Sequence, residues 1–304
     1  MLNAKMLRDA AFSLGADLFG IGDLSLFEGC PAGRDPRMIL PHGRCIVGAG
    51  FRVPRGLYEA MAQGTQYYNY TTLGVKYPDE ELAEIFLLKL AAMIEDEGYD
   101  ACVQRNVSNL RIKGDKSQNP ELFDTYELIH AEPVEPGKPA PDVILDFAEC
   151  ARITGLGRAG MRGAILTPEF GPFVRFVFIV TDAPLECDPP FEGDLCDRCG
   201  ACAAACPGNA IDERGTDSWQ CSVYYRGAHK SNPYMTPDFL SDDPRREAIL
   251  AGEYRFDAES ARKIYPRLNF LPQFSGYVPC LCGKACDVAC FRHLKEKGLI
   301  RGKK

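Results

Sequence analysis

The chain has 304 residues, is 46% hydrophobic and 25% charged, and carries a formal net charge of −7. That length holds one large or two modest domains, and the balance of residue types excludes disordered, collagenous and low-complexity chains. The acidic excess argues against a general nucleic-acid binder, which needs surplus Lys and Arg against phosphate. No apolar run reaches the roughly 18 residues that would cross a bilayer.

Met6, Leu7, Ala10, Ala11 and Leu14 recur at helical spacing and Gly15 ends the run. Lys5 and Arg8 are not followed by an apolar stretch of signal-peptide length, so the expected location is the cytoplasm. Residues 18–21 and 45–49 read as short buried strands. Residues 51–74, rich in Tyr, Gly and Arg without a clear period, read as a loop with functional potential. Residues 79–98 form the clearest helix: Pro78 precedes it, acids fill its first turn, Leu82, Ile85, Phe86, Leu90 and Met93 define a face, and Gly98 stops it. A proline-rich loop around Pro133, Pro136, Pro139 and Pro141 leads to a helix over 143–154. Residues 165–166 and 173–181 read as two strands of a hairpin joined by the turn 167–172.

Pro184, Pro189 and Pro190 mark a boundary within 182–194. It divides an α+β domain, 1–185, from a cysteine-rich one, 186–304, where hydrophobic periodicity fades; a region that folds around metal needs less apolar core. The chain has 14 cysteines, nine of them from Cys196 to Cys290. In a cytosolic setting such density points to metal or redox chemistry rather than disulfides. The remaining five (Cys30, Cys45, Cys102, Cys150 and Cys187) read as small buried hydrophobes.

The run Cys196-x2-Cys199-x2-Cys202-x3-Cys206-Pro207 has the spacing by which three thiolates wrap one [4Fe–4S] cluster while the fourth reaches a second cluster. Thiolate is the soft ligand such clusters select. Downstream lie Cys221 and the set Cys280, Cys282, Cys286 and Cys290. Two clusters need eight thiolates. In the swapped arrangement Cys196, Cys199, Cys202 and Cys290 hold one cluster. Cys206, Cys282, Cys286 and either Cys221 or Cys280 hold the other. The aromatic-rich insertion between the motifs, with Tyr224, Tyr225, Tyr234, Tyr254 and Phe256, reads as a shell that excludes water from the clusters.

Three further segments precede the first motif in a telling order. They are Gly155-Leu156-Gly157-Arg158-Ala159-Gly160, Thr167-Pro168-Glu169-Phe170-Gly171-Pro172, and Thr181-Asp182-Ala183-Pro184-Leu185. In this order and ahead of a double-cluster region, they resemble the corrinoid-dependent reductases: the epoxyqueuosine reductases and reductive dehalogenases. The resemblance is strong over 145–225 and weaker elsewhere. It implies a nitroreductase-like domain that binds cobalamin, followed by a ferredoxin-like domain with two [4Fe–4S] clusters. Electrons would pass from an external donor such as ferredoxin or flavodoxin, through the clusters, to cobalt, which then acts on a small-molecule substrate. The resemblance favours Cys221 over Cys280 as the eighth ligand.

For the corrinoid it points to Gly155, Leu156, Gly157, Arg158, Gly160, Thr167, Pro168, Gly171 and Arg175. Asp142 stands one residue from the position of the epoxyqueuosine reductases' catalytic aspartate and is the candidate proton donor. Tyr68 and Tyr70, in a tyrosine cluster, are candidates by analogy with dehalogenase chemistry. The helical repeats with which epoxyqueuosine reductases help bind tRNA have no counterpart before Lys304, so tRNA is not an expected partner. His42, His130, His229 and His293 show no ligand-like mutual spacing, and His293 reads as facing solvent.

Overall fold

The computed structural model describes residues 2–106, 132–271 and 277–301; His130 lies outside them. Helix α1, Ala4–Ser13, is capped by Asn3, whose side chain accepts from the Met6 N–H at 3.0 Å. Strands β1, Leu18–Asp23, and β2, Cys45–Arg52, follow. Residues 51–74 are largely helical, contrary to the loop expected. Helix α2 spans Arg55–Ala62, and α3, Tyr67–Thr71, runs on through two π turns, Thr72–Lys76 and Pro78–Leu82, into α4, Ala83–Glu95. The period is hidden because this segment is buried by tertiary packing: Tyr58, Met61, Tyr67 and Tyr70 pack with Phe173 and Leu281. Pro78 lies inside the helical run instead of opening it. The wider π turns accommodate the missing N–H and the ring that an α turn would exclude.

After β3, Ala101–Gln104, helix α5 is confined to Phe147–Ile153, shorter than expected. Asp146 caps it, accepting from the Ala148 and Glu149 N–H groups, while the Ile144 N–H bonds the Gly33 carbonyl at 3.1 Å and holds the preceding residues extended. Strands β4, Arg158–Ala159, and β5, Ile165–Leu166, pair with each other. The expected hairpin between 165–166 and 173–181 is therefore not formed as such; β6, Val174–Thr181, joins the main sheet instead.

Among the described residues that sheet is four-stranded and antiparallel, in the order β1-β2-β6-β3. Alternation along the strands supplies both faces. Val47, Ala49, Val177 and Ile179 pack under Leu7, Ala11, Phe86 and Leu90 of α1 and α4. Ile46, Phe176, Phe178 and Val180 pack under Cys150 and Ile153 of α5. Fully buried side chains such as Ile46 and Phe178 each stabilise the layer by roughly 1.5–3 kcal/mol. Cys45 and Cys150 are buried as expected for small hydrophobes, whereas Cys187 is exposed in the segment after β6.

That segment is pinned to the sheet. The Asp188 N–H donates to the Ile21 carbonyl at 2.7 Å, and the Asp188 carboxylate accepts from the Ile21 N–H at 2.9 Å and from Arg8. Beyond it come α6 (Ala201–Ala204), β7 (Ile211–Asp212), β8 (Gly215–Thr216), α7 (Ser218–Tyr225), α8 (Arg246–Leu250), α9 (Ala258–Ile264) and α10 (Ala285–Glu296). The insertion has an apolar core of its own, with Trp219, Val223, Tyr224, Ile249, Phe256 and Ile264, fuller than the fading periodicity led one to expect. Among the described residues, no helix is long and apolar enough to cross a membrane.

Candidate metal centre

Helix α10 organises the cysteines. Cys286 and Cys290 lie one turn apart on it, so they share a face and stand one above the other. Cys290 meets Cys196, Cys199 and Cys202 around a small cavity closed by Met161, His293 and Leu294. Burial pushes the Cys290 thiol up to about 12, opposed by Arg162 and reinforced by Cys202, Cys196 and Cys199. On the other side, burial pushes Cys221 up to about 12, and the sulfurs that bear on it are Cys282, Cys286 and Cys206. Several sulfurs brought this close together cannot all ionise unless a cation compensates them, a charge that a bound metal would supply. The donor set fits iron–sulfur clusters, which take four thiolates each. Backbone donors already point at the sulfurs: the Met161 N–H at Cys196 Sγ and the Ala210 N–H at Cys206 Sγ, both at 3.3 Å.

Cys221 is positioned by its neighbour. Gln220, fully buried, donates through Nε2 to the Gly208 carbonyl at 2.7 Å and the Tyr254 carbonyl at 2.9 Å. Its Oε1 accepts from the Phe256 N–H at 2.8 Å. These bonds lock α7 between the Pro207 turn and the insertion, a role that a glutamine beside a cysteine does not advertise in sequence. Cys280 is wholly buried in another way. Its N–H donates to Thr71 Oγ1 at 3.0 Å, and its sulfur lies 3.7 Å from Cys282 Sγ. His293 does not simply face solvent: its Nε2 meets Asp197 Oδ2 at 2.8 Å, clamping α10 to the Cys199 loop and holding the Asp197 carboxyl below its usual range.

Asp142 has a positive φ of 62° and lines a cleft of about 960 Å3, with Arg34, Arg105, Leu145, Gly163 and Ile165 among its other walls. Neither Tyr68 nor Tyr70 lines it, so the three candidate proton donors are not brought together. Tyr70 is buried near Cys280 and Arg175, and burial drives its hydroxyl far up; Tyr68 is half-buried on α3.

The residues assigned to a corrinoid by resemblance engage their own chain. The N–H groups of Gly155, Leu156, Gly157 and Gly160 donate to the carbonyls of Arg152, Ala151, Ala151 and Ala164. A Cβ on Gly157 would lie 2.3 Å from the Leu166 carbonyl oxygen, and one on Gly160 would press on Cys196. Both glycines thus serve close chain approach. Arg158 is exposed on β4. Thr167 and Gly171 bond each other, the Pro168 carbonyl accepts from the Arg301 N–H at 2.7 Å, and Gly171 lies against Phe291, Leu294 and Ile300. The turn therefore receives the end of the described chain. Arg175 is held by the buried carboxylate of Asp79. None of these nine lines the cleft. The segment between them does connect the two places: Gly160 and Met161 touch Cys196, and Gly163 and Ile165 reach the cleft.

Residues 189–212 match the family described as the 4Fe-4S binding domain. The chain is 45% identical over 62 residues to the tetrachloroethene reductive dehalogenase of Sulfurospirillum multivorans, covering 19% of this chain and 12% of that one. It is 33% identical over 100 residues to the epoxyqueuosine reductase of Listeria monocytogenes, covering 33% and 24%. It is 37% identical over 116 residues to that of Bacillus subtilis, covering 38% and 27%. The matches thus span well under two thirds of these relatives' lengths. Among solved structures, it is similar to a catabolic reductive dehalogenase in complex with 3-bromo-4-hydroxybenzoic acid, with a TM-score of 0.49 at 18% identity over 88% of this chain and 34% of that one. For the epoxyqueuosine reductase of Streptococcus thermophilus the TM-score is 0.44 at 14% identity, over 90% and 68%. The chain is thus a mixed α/β protein with a 4Fe–4S binding domain, homologous in sequence to the epoxyqueuosine reductases and the reductive dehalogenases.

Proposed function

We propose that this chain is an iron–sulfur oxidoreductase with two [4Fe–4S] clusters that deliver electrons to a corrinoid in the Asp142 cleft, where a small molecule is reduced. The reading is supported above all by Cys290 meeting Cys196, Cys199 and Cys202 around one cavity, with Cys206, Cys282 and Cys286 bearing on Cys221 on the other side. Cys196, Cys199, Cys202 and Cys290 would hold one cluster, and Cys206, Cys221, Cys282 and Cys286 the other. The N–H groups of Met161 and Ala210, which point at Cys196 Sγ and Cys206 Sγ, would stabilise added negative charge on the sulfurs. The corrinoid part is supported by the relatives and by a cleft at the top of the usual 300–1,000 Å3 range for ligand sites. A bound corrinoid would supply a reducible metal for cleaving or reducing a C–O, C–X or C=C group. Arg34, Leu145 and Ile165 would shape its site, and Asp142 would hand a proton to the product. The electron donor would be a small protein such as ferredoxin or flavodoxin, and the domain holding the cleft would correspond to the nitroreductase-like one of the resemblance.

The test is anaerobic purification with cobalamin supplied, followed by iron and cobalt analysis and a visible spectrum. About eight irons and about one cobalt per chain are expected, at four irons per cluster. Eight irons without cobalt would overturn the corrinoid reading and leave an electron-transfer protein, or a flavoprotein if a flavin band appears. Asp142→Asn should keep iron and cobalt yet lose turnover; unchanged turnover would remove Asp142 from the mechanism.

A further inference from the structure

Asp287 stands on α10 between Cys286 of one sulfur set and Cys290 of the other, and is 4% exposed. A buried acid next to thiolates is unfavourable unless cations hold it. Two do. Arg162, itself largely buried, forms an ion pair with Asp287, and Lys284 Nζ lies 3.6 Å from its Oδ2. The two cations serve different sets. Arg162 directly follows Met161, whose N–H bonds Cys196 Sγ at 3.3 Å, so it stands beside the Cys196 set. Lys284 stands at the start of α10, between Cys282 and Cys286 of the other set. Arg162 Nε and Asp287 Oδ1 are both buried without a hydrogen-bond partner, so this pair is held by charge in a place closed to water.

We propose that Arg162, Asp287 and Lys284 form a shared charge bridge that sets the two cluster potentials separately, Arg162 raising that of the Cys196 cluster, Lys284 that of the Cys206 cluster, and Asp287 holding both down. One-electron reduction adds a negative charge to an already anionic cluster, so a fixed cation alongside stabilises the reduced form and a fixed anion opposes it. Because a single carboxylate is shared, altering it moves both clusters, whereas each cation moves one.

The inference rests on the two-cluster reading, and its test keeps the two apart. Iron is first counted in the wild-type holoprotein and in Arg162→Gln, Arg162→Lys, Lys284→Gln and Asp287→Asn. Dithionite titrations under controlled potential then follow the clusters by electron paramagnetic resonance. About four irons per chain in the wild type would overturn the two-cluster reading and the bridge with it. With about eight irons retained, Arg162→Gln should shift one reduction wave to more negative potential, and Lys284→Gln the other. Asp287→Asn should shift both to more positive potential. Arg162→Lys, which keeps the charge, should leave its wave near the wild-type position, as a merely structural role would not. Waves that stay in place, or that move together with either cation, would overturn the bridge while leaving the clusters standing. If Asp287→Asn fails to assemble, the two cation variants decide the matter alone.

Discussion

Replacing Cys221 with serine would remove the sulfur that α7 brings toward Cys206, Cys282 and Cys286, while replacing Cys280 removes a thiol that lies 3.7 Å from Cys282 Sγ. The expected outcome is that Cys221→Ser loses about half its iron and Cys280→Ser keeps it, read by iron analysis of anaerobically purified protein. The reverse result would exchange their roles. At this scale much could be read in advance: the short spacings from Cys196 to Cys206 single out the stretch that matches the 4Fe–4S binding family. What could not be read are residues whose meaning depends on apposition. Arg162 and Asp287 are distant in sequence and ordinary in type, and only the packing of the glycine segment onto α10 makes them a pair. The glycines show the same dependence on apposition. They were read as places of close backbone approach, and at Gly157 and Gly160 the chain's own Leu166 and Cys196 come close.

Helical and strand segments were legible wherever one face alone is buried, as in α1, and illegible where burial comes from all sides, as around Tyr67 and Tyr70. The π turns at Pro78 joined two segments that proline rules would separate. This long helical run is tied to β6 by the buried pair Asp79–Arg175. Asp79→Asn leaves the guanidinium without its counter-charge and should destabilise the fold by about 3 kcal/mol, measured by urea denaturation of the holoprotein. A change below 0.5 kcal/mol would show that the strand and helix are held by apolar packing alone.

The insertion carries a pH signature. His229 is 3% exposed, meets Ser231 Oγ through Nδ1 at 2.9 Å, and burial lowers its pKa to about 4. The unfolded chain takes up this proton near pH 6.5, well before the folded protein does. Its contribution to stability is thus complete above that pH and is lost as the pH falls toward 4. Between pH 6.5 and 5 the loss should be roughly 2 kcal/mol. His229→Gln should show a correspondingly flatter dependence over that window, and an unchanged slope would contradict a neutral buried ring.

Across the whole molecule, the proline-marked stretch 182–194 was expected to be a boundary, and composition does change there. The structure adds that this stretch is bonded down along its length: Asp188 to Ile21 and Arg8, and the Phe191 N–H to the Arg152 carbonyl at 2.7 Å. The Cys280 N–H on Thr71 and the Arg301 N–H on Pro168 bind the cysteine-rich part back onto the sheet and its helices. Sequence could not foresee these ties, because each joins a side chain or backbone group to one far away along the chain.

The Asp188 bonds have one more effect. Among the described residues β1 is an outer strand of the sheet, and Ile21 would otherwise present an N–H and a C=O along that border. Asp188 occupies both, its own N–H and carboxylate filling the places a neighbouring strand would take. Unguarded strand borders recruit strands from other molecules. The stretch leading to the cysteines would therefore also hinder copies of this protein from pairing along that border at Ile21. A chain cut after residue 185 should lose that protection and self-associate, with light scattering rising with concentration where the 304-residue chain stays clear.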